Sequence, residues 1–193
     1  MLAKAVCAAA MLLAPVSSAV PQTAPQTELG PIPKVVCRVS TGYIMGTAFR
    51  VGNGVFVTAR HVINQGECSI EGQPVTILYK SPDSDYAILG DRRPGKFIPV
   101  DCDGYKTGNA YVALGHARGS DNLYAVDMIA VTLRYPGVPM SLLAGIFTAQ
   151  PGMSGGPILD RETLKVVGMT NTGDWERGLT GSIQLKDTPI CPR

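Results

Sequence analysis

No stretch of this chain carries a long 3.6-residue hydrophobic period. Between Lys34 and Leu185 it runs instead in short segments rich in Val, Ile, Thr and Tyr, broken by Gly, Pro, Asn and Asp. Such segments suit extended chain and their breakers suit turns, so the pattern predicts many short strands. In the first half these are residues 34–40, 46–51, 54–59, 68–70, 74–80 and 86–90, with Gly52-Asn53 read as a hairpin turn. Residues 92–102, "RRPGKFIPVDC", read as a linker. The second half repeats the theme at 109–115, 124–133, 141–149, 157–160, 164–171 and 178–185. Two successive sets of about six short strands are what two packed antiparallel barrels require, although the pattern alone also permits a β-sandwich.

The 193 residues, 45% hydrophobic and 17% charged, suffice for one compact domain or two small ones sharing an interface. A net charge of +2 with no Lys/Arg block gives no support for a nucleic-acid or membrane-surface partner. Lys4, the apolar run Ala5–Ala14 and the small residues Ser17-Ser18-Ala19 read as a secretory signal peptide over 1–19. Ten apolar residues are too few to cross a bilayer, which takes about 20, so no stable membrane insertion is expected after cleavage. Residues 20–33, rich in Pro, Gln and Thr, read as a flexible leader. Cleavage removes Cys7 and leaves Cys37, Cys68, Cys102 and Cys191. Four cysteines in an oxidising compartment suggest two disulfides in one of three connectivities, and a secreted or periplasmic protein. No CxxC or Cys/His cluster exists, so neither a metal nor another cofactor is expected.

Few residues could do chemistry. The two histidines each follow an apolar strand, His61 in "VTARHVI" and His116 in "ALGHARG". Asp83 and Asp85 stand in "SPDSDYAIL", where turn chemistry alone explains an aspartate. Ser154 is more pointed. In "PGMSGGP" (151–157) it sits among Gly152, Gly155 and Gly156. A serine nucleophile needs an exposed hydroxyl, a base to take its proton, an acid to orient the base, and N–H donors for the developing oxyanion. Glycines allow the backbone contortion and close approach this demands. His61, Asp85 and Ser154 occur in that chain order, each at a strand end or turn.

"VTARHV", "DYAIL" and "PGMSGGP" resemble the three catalytic segments of chymotrypsin-like (trypsin-like) serine peptidases of the compact bacterial and viral type, and the resemblance runs from about Val35 to Leu185. It implies two six-stranded antiparallel β-barrels, residues 34–97 and 98–193, with the active site in the cleft between them. It implies His61 as general base, Asp85 as orienting acid, Ser154 as nucleophile, and the amides of Gly152 and Ser154 as oxyanion hole. Asn171, Thr172 and Gly173 would line the cleft as substrate-binding residues, and Thr148 would form the base of the primary specificity pocket. A neutral threonine there argues against strict Lys/Arg preference. The resemblance also favours Cys37–Cys68 and Cys102–Cys191, because first and fourth strands are neighbours in such barrels. Met153 departs from the many relatives that carry an aspartate before the serine, and no "IVGG"-like start is present, so activation through a new N-terminal ion pair is not expected. His116 matches no family role and is read as structural. The expected protein is a monomeric secreted endopeptidase acting on polypeptides. The alternative is a catalytically idle homologue that binds peptides through the same cleft.

Overall fold

A computed structural model describes residues 31–39, 42–64, 66–131, 141–145, 148–174 and 176–192. The signal peptide and most of the leader expected from the sequence lie outside these residues. Thirteen strands are described, and their ladders are antiparallel throughout.

The first half contains β1 (Lys34–Val39), β2 (Gly42–Gly52), β3 (Val55–Ala59), β4 (Cys68–Ile70), β5 (Gln73–Pro74), β6 (Thr76–Lys80) and β7 (Tyr86–Gly90). They form one sheet in the order β5-β4-β1-β2-β3-β7-β6. Strands β5 and β6 stand at opposite ends of that order, yet only Val75 separates them in the chain. The sheet must therefore curl until its edges meet, and the junction is covalent rather than a ladder. The expected single strand 74–80 divides here, which gives this half seven strands rather than six. The β2–β3 hairpin turns at Asn53-Gly54, one residue later than expected: Gly52 pairs with Val55, and Gly54 takes the left-handed φ of 72°.

The second half contains β8 (Ala110–Gly115), β9 (Tyr124–Val131), β10 (Ser141–Ala144), β11 (Pro157–Asp160), β12 (Val166–Asp174) and β13 (Leu179–Gln184). They close into a barrel in the order β10-β13-β12-β11-β8-β9. Thr148 and Ala149, expected within a strand, are irregular chain. Alternation along β9 (buried Val126, Met128, Ala130; exposed Asp127, Ile129) turns one face inward, as a closed barrel requires.

One apolar core joins the halves, uniting Phe49, Phe56 and Leu89 of the first with Leu114, Leu159 and Met169 of the second. A second core built on Tyr111, Leu143, Met153 and Ile158 fills the barrel. Both disulfides favoured above are present. Cys37 and Cys68 are directly opposed on β1 and β4, and Cys102–Cys191 joins the linker to the C-terminal segment. Closing loops of 31 and 89 residues stabilises by about 3–5 kcal/mol each on a chain-entropy model.

Candidate active site

The antiparallel register of β3 and β7 pairs Ala59 with Tyr86, so the end of β3 lies beside the start of β7. His61 follows β3 in a single 3₁₀ turn, Arg60–Ile63, and Asp85 immediately precedes β7. Val62 and Ile63 bury themselves beneath this turn, which leaves the His61 side chain facing outward at 45% exposure. The ring meets Asp85 at once: Nδ1 to Oδ2 is 2.6 Å. The other carboxylate oxygen accepts the backbone N–H of His61 at 2.8 Å. Asn171 Nδ2 donates to Oδ2 at 2.8 Å. Burial raises the Asp85 pKa, but the hydrogen bonds and charge of His61, helped by Asn171, outweigh it and hold the carboxyl below its ordinary value of 3.8. His61 Nε2 has no hydrogen-bond partner among the described residues.

Asn171 reaches Asp85 because β12 is irregular at that point. Thr170 opposes Ser182 and Thr172 opposes Gly181, so Asn171 is the extra residue of a β-bulge. A bulge bends the strand and re-aims a side chain. The sequence places Asn171 in the cleft, and its side chain in addition holds the carboxylate that faces His61.

Ser154 stands three residues before β11, in a turn of the second half that packs against the first sheet. Its backbone O accepts from Thr47 N at 2.8 Å, and its hydroxyl donates to Asn171 O at 3.2 Å. No Ser154–His61 hydrogen bond is present, although both residues line the same cleft. That cleft, of about 350 Å³, is also lined by Ala149, Gln150 and Pro151 and by Thr170 to Gly173. Gly152 (φ 91°) and Gly155 (φ 86°) adopt the left-handed region. A Cβ on Gly156 would lie 2.0 Å from Leu114 O, so only glycine fits there. The N–H groups of Gly152 and Ser154 have no acceptor among the described residues.

The cleft thus brings together His61, Ser154, Asn171, Thr172 and Gly173, with Asp85 behind His61. Thr148 is buried and does not line it. Thr170 does, and its buried Oγ1 has no hydrogen-bond partner among the described residues. Nothing in the sequence singled out Thr170; its place follows from the bulge that begins beside it. A larger hollow, about 560 Å³, lies elsewhere, by Ile32, Lys34, Glu71, His116 and Asp121, and holds none of these groups. His116 is buried there with its ring nitrogens against Ser120 O (3.0 Å) and Ile32 O (2.7 Å), a packing role that agrees with its structural reading. No helix among the described residues is long and apolar enough to cross a membrane.

The model of the trypsin-like peptidase domain matches residues 46–169. No curated protein sequence matches the chain. Among solved structures, the active form of the Rv3671c protease from M. tuberculosis superposes with a TM-score of 0.68 at 23% identity, over 90% of this chain and 88% of that one. The HtrA-type protease AlgW with tripeptide gives 0.65 at 18% identity, over 80% of this chain and 56% of that one. The serine endoprotease from Yersinia pestis gives 0.65 at 17% identity, over 79% and 58%. At these identities the superpositions speak for the fold, a curled sheet and a closed barrel flanking one cleft. With the family model spanning most of both halves, the chain belongs to the trypsin-like peptidases, serine-type endopeptidases of the chymotrypsin fold.

Proposed function

We propose that this chain is an exported endopeptidase that hydrolyses polypeptides with Ser154 as nucleophile, His61 as general base and Asp85 as the acid that orients it. The observation that carries the reading is the carboxylate clamp on His61. Asp85 holds both the ring Nδ1 and the backbone N–H of that residue, which fixes the proton on Nδ1 and leaves Nε2 a free base toward the cleft. Ser154 must give up its bond to Asn171 O and turn its hydrogen to Nε2. Its Oγ then bonds to the scissile carbonyl carbon while its proton passes to His61. The carbonyl oxygen gains the negative charge and accepts the unpaired N–H groups of Gly152 and Ser154. Collapse breaks the C–N bond, and Nε2 returns its proton to the departing amine. Water repeats the cycle on the acyl-enzyme and releases the new carboxylate.

The substrate backbone has a place as well. Strand β12 runs past the start of β11, whose first pair is Pro157 with Met169, so at Thr172 and Gly173 its ladder is on the β13 side alone. An extended peptide can add to that edge. Export is supported by the two disulfides, which persist in oxidising compartments. Labelling of the folded, mature protein with a fluorophosphonate tests the reading. Covalent modification at Ser154, lost in Ser154→Ala, is expected; an unlabelled protein beside a labelled control peptidase would leave the cleft a peptide-binding site.

A further inference from the structure

Two N–H groups of the serine turn have no acceptor, and the cause lies in the carbonyls that precede them. In a trans peptide the C=O and N–H of one unit point in opposite directions. Four successive carbonyls of this turn are each held. Pro151 O accepts from Arg118 N at 2.5 Å, Met153 O from Gly156 N at 2.9 Å, and Ser154 O from Thr47 N at 2.8 Å. Gly152 O accepts from Thr47 Oγ1 at 2.8 Å. Each held carbonyl sends the next N–H to the other side of the chain. Met153 N–H then finds Gln150 O and Gly155 N–H finds Thr170 O. Gly152 N–H and Ser154 N–H are left over, and these are the two proposed as the oxyanion hole.

Three of the four restraints are backbone amides. The fourth is a side chain, the hydroxyl of Thr47 on β2, fully buried and 105 residues from its acceptor. The hydroxyl has no freedom to turn elsewhere. His116 N donates to the same oxygen at 3.0 Å, which directs the Thr47 hydrogen onto Gly152 O. Thr47 also keeps its own carbonyl engaged, by Thr58 Oγ1 at 2.7 Å. Met153, buried and apolar, can supply no ion pair to hold the turn instead.

We propose that Thr47 is a positioning residue: Gly152 O shares its peptide unit with Met153 N–H, the unit that joins the two donor units, and by holding this middle unit from the opposite half of the molecule the Thr47 hydroxyl keeps the Gly152 and Ser154 N–H groups presented to the substrate oxyanion. This rests on the peptidase reading above. Thr47→Val keeps shape and removes the donor, and Thr47→Ser keeps the donor. On a fluorogenic peptide chosen by library profiling, Thr47→Val is expected to lower kcat about 10- to 100-fold with KM changed less than about threefold, as befits a group that acts in the transition state. Its affinity for a peptide aldehyde, which forms the tetrahedral adduct, should fall in proportion to kcat/KM. Thr47→Ser should stay within about threefold of the parent in both readings. If Thr47→Val does not fold, as judged by near-ultraviolet circular dichroism, Thr47→Ser against Thr47→Ala isolates the same hydroxyl. Wild-type kcat in the variants that lack the hydroxyl, or equal losses with and without it, overturns the positioning role. A wild-type protein that neither cleaves peptides nor takes up fluorophosphonate overturns the peptidase reading instead.

Discussion

The two halves of the molecule position their parts of the candidate site by different physical means. In the first sheet one carboxylate does the work. Asp85 is held beside His61 by strand register and binds both the ring and the backbone N–H of that residue. In the second half, among the described residues, no charged side chain makes a hydrogen bond or ion pair to the Ser154 turn. Its form comes from a sequence of backbone carbonyls, each engaged by an amide or by Thr47, and from glycines that admit neighbouring backbone at contact distance. A carboxylate clamp orders one flexible side chain and is sensitive to protonation. A backbone clamp orders N–H groups that no side chain could supply, and it responds to sterics and to packing across the two halves. The first kind should fail chemically when altered, and the second should fail by unfolding or by misplaced donors.

Substitution at the proposed reacting groups separates these modes most strongly. Ser154→Ala should remove peptide hydrolysis by about 10⁶-fold while the melting temperature moves by no more than about 2 °C, because the hydroxyl makes one hydrogen bond, to Asn171 O. Activity and melting measured on one preparation check this, and a large loss of stability would show that the serine is part of the clamp. Asp85→Asn should cost about 10⁴-fold in kcat, since an amide donates where the ring needs an acceptor and so favours the wrong tautomer. Asp83→Asn should leave kcat within about twofold, a control that would reassign the orienting acid if the two results were reversed.

How far the sequence anticipated this site follows the same division. His61, Asp85 and Ser154 are legible because chemistry restricts their residue types and because each interrupts a strand pattern. Both disulfides follow from the resemblance and stand as expected, on neighbouring strands in one case. The backbone clamp is not legible. Thr47 sits in an ordinary strand, and nothing local marks a hydroxyl whose acceptor lies 105 residues away. Asn171 reads as cleft lining, but its bond to Asp85 depends on a bulge that strand alternation does not predict. Thr148, matched by the resemblance to the base of a specificity pocket, is buried and is not among the residues that line the cleft. The split of residues 74–80 at Val75 is likewise a demand of sheet closure, not of local propensity.

Two left-handed glycines sharpen the contrast in stability rather than rate. Gly72, in the β4–β5 turn, has φ 74° and open space where a Cβ would go. Gly155, in the serine turn, has φ 86°, and its Cβ would fall 2.3 Å from Thr47 O and 2.4 Å from Thr58 Oγ1. Gly72→Ala therefore carries only the conformational cost, about 1–2 kcal/mol. Gly155→Ala adds a collision with backbone that cannot yield, and should cost about 3–5 kcal/mol. Urea unfolding with unchanged m-values measures both. Equal costs would mean that the first sheet and the serine turn separate readily, against the shared core described above.

Acid titration offers the smallest and most specific test of the carboxylate clamp. The folded-state pKa of Asp85 is lowered, so the folded protein binds this proton less readily than the unfolded chain does. The resulting stability is fully present above the unfolded value, near the ordinary 3.8, and is lost as pH falls through the lower folded value. Asp85→Asn cannot titrate there. The melting temperatures of wild type and Asp85→Asn should accordingly differ at about pH 5 and converge as the solution is acidified below the ordinary carboxylate range. The group is partly exposed and screened, so a gap on the order of 2–4 °C is expected, the equivalent of about 1 kcal/mol in a chain of this size. The Ser154 turn has no titrating member, so Ser154→Ala should track wild type in parallel across the whole series. Parallel curves for Asp85→Asn would mean that His61 and Asn171 do not favour the ionised carboxylate, and the clamp would then be geometric without being electrostatic.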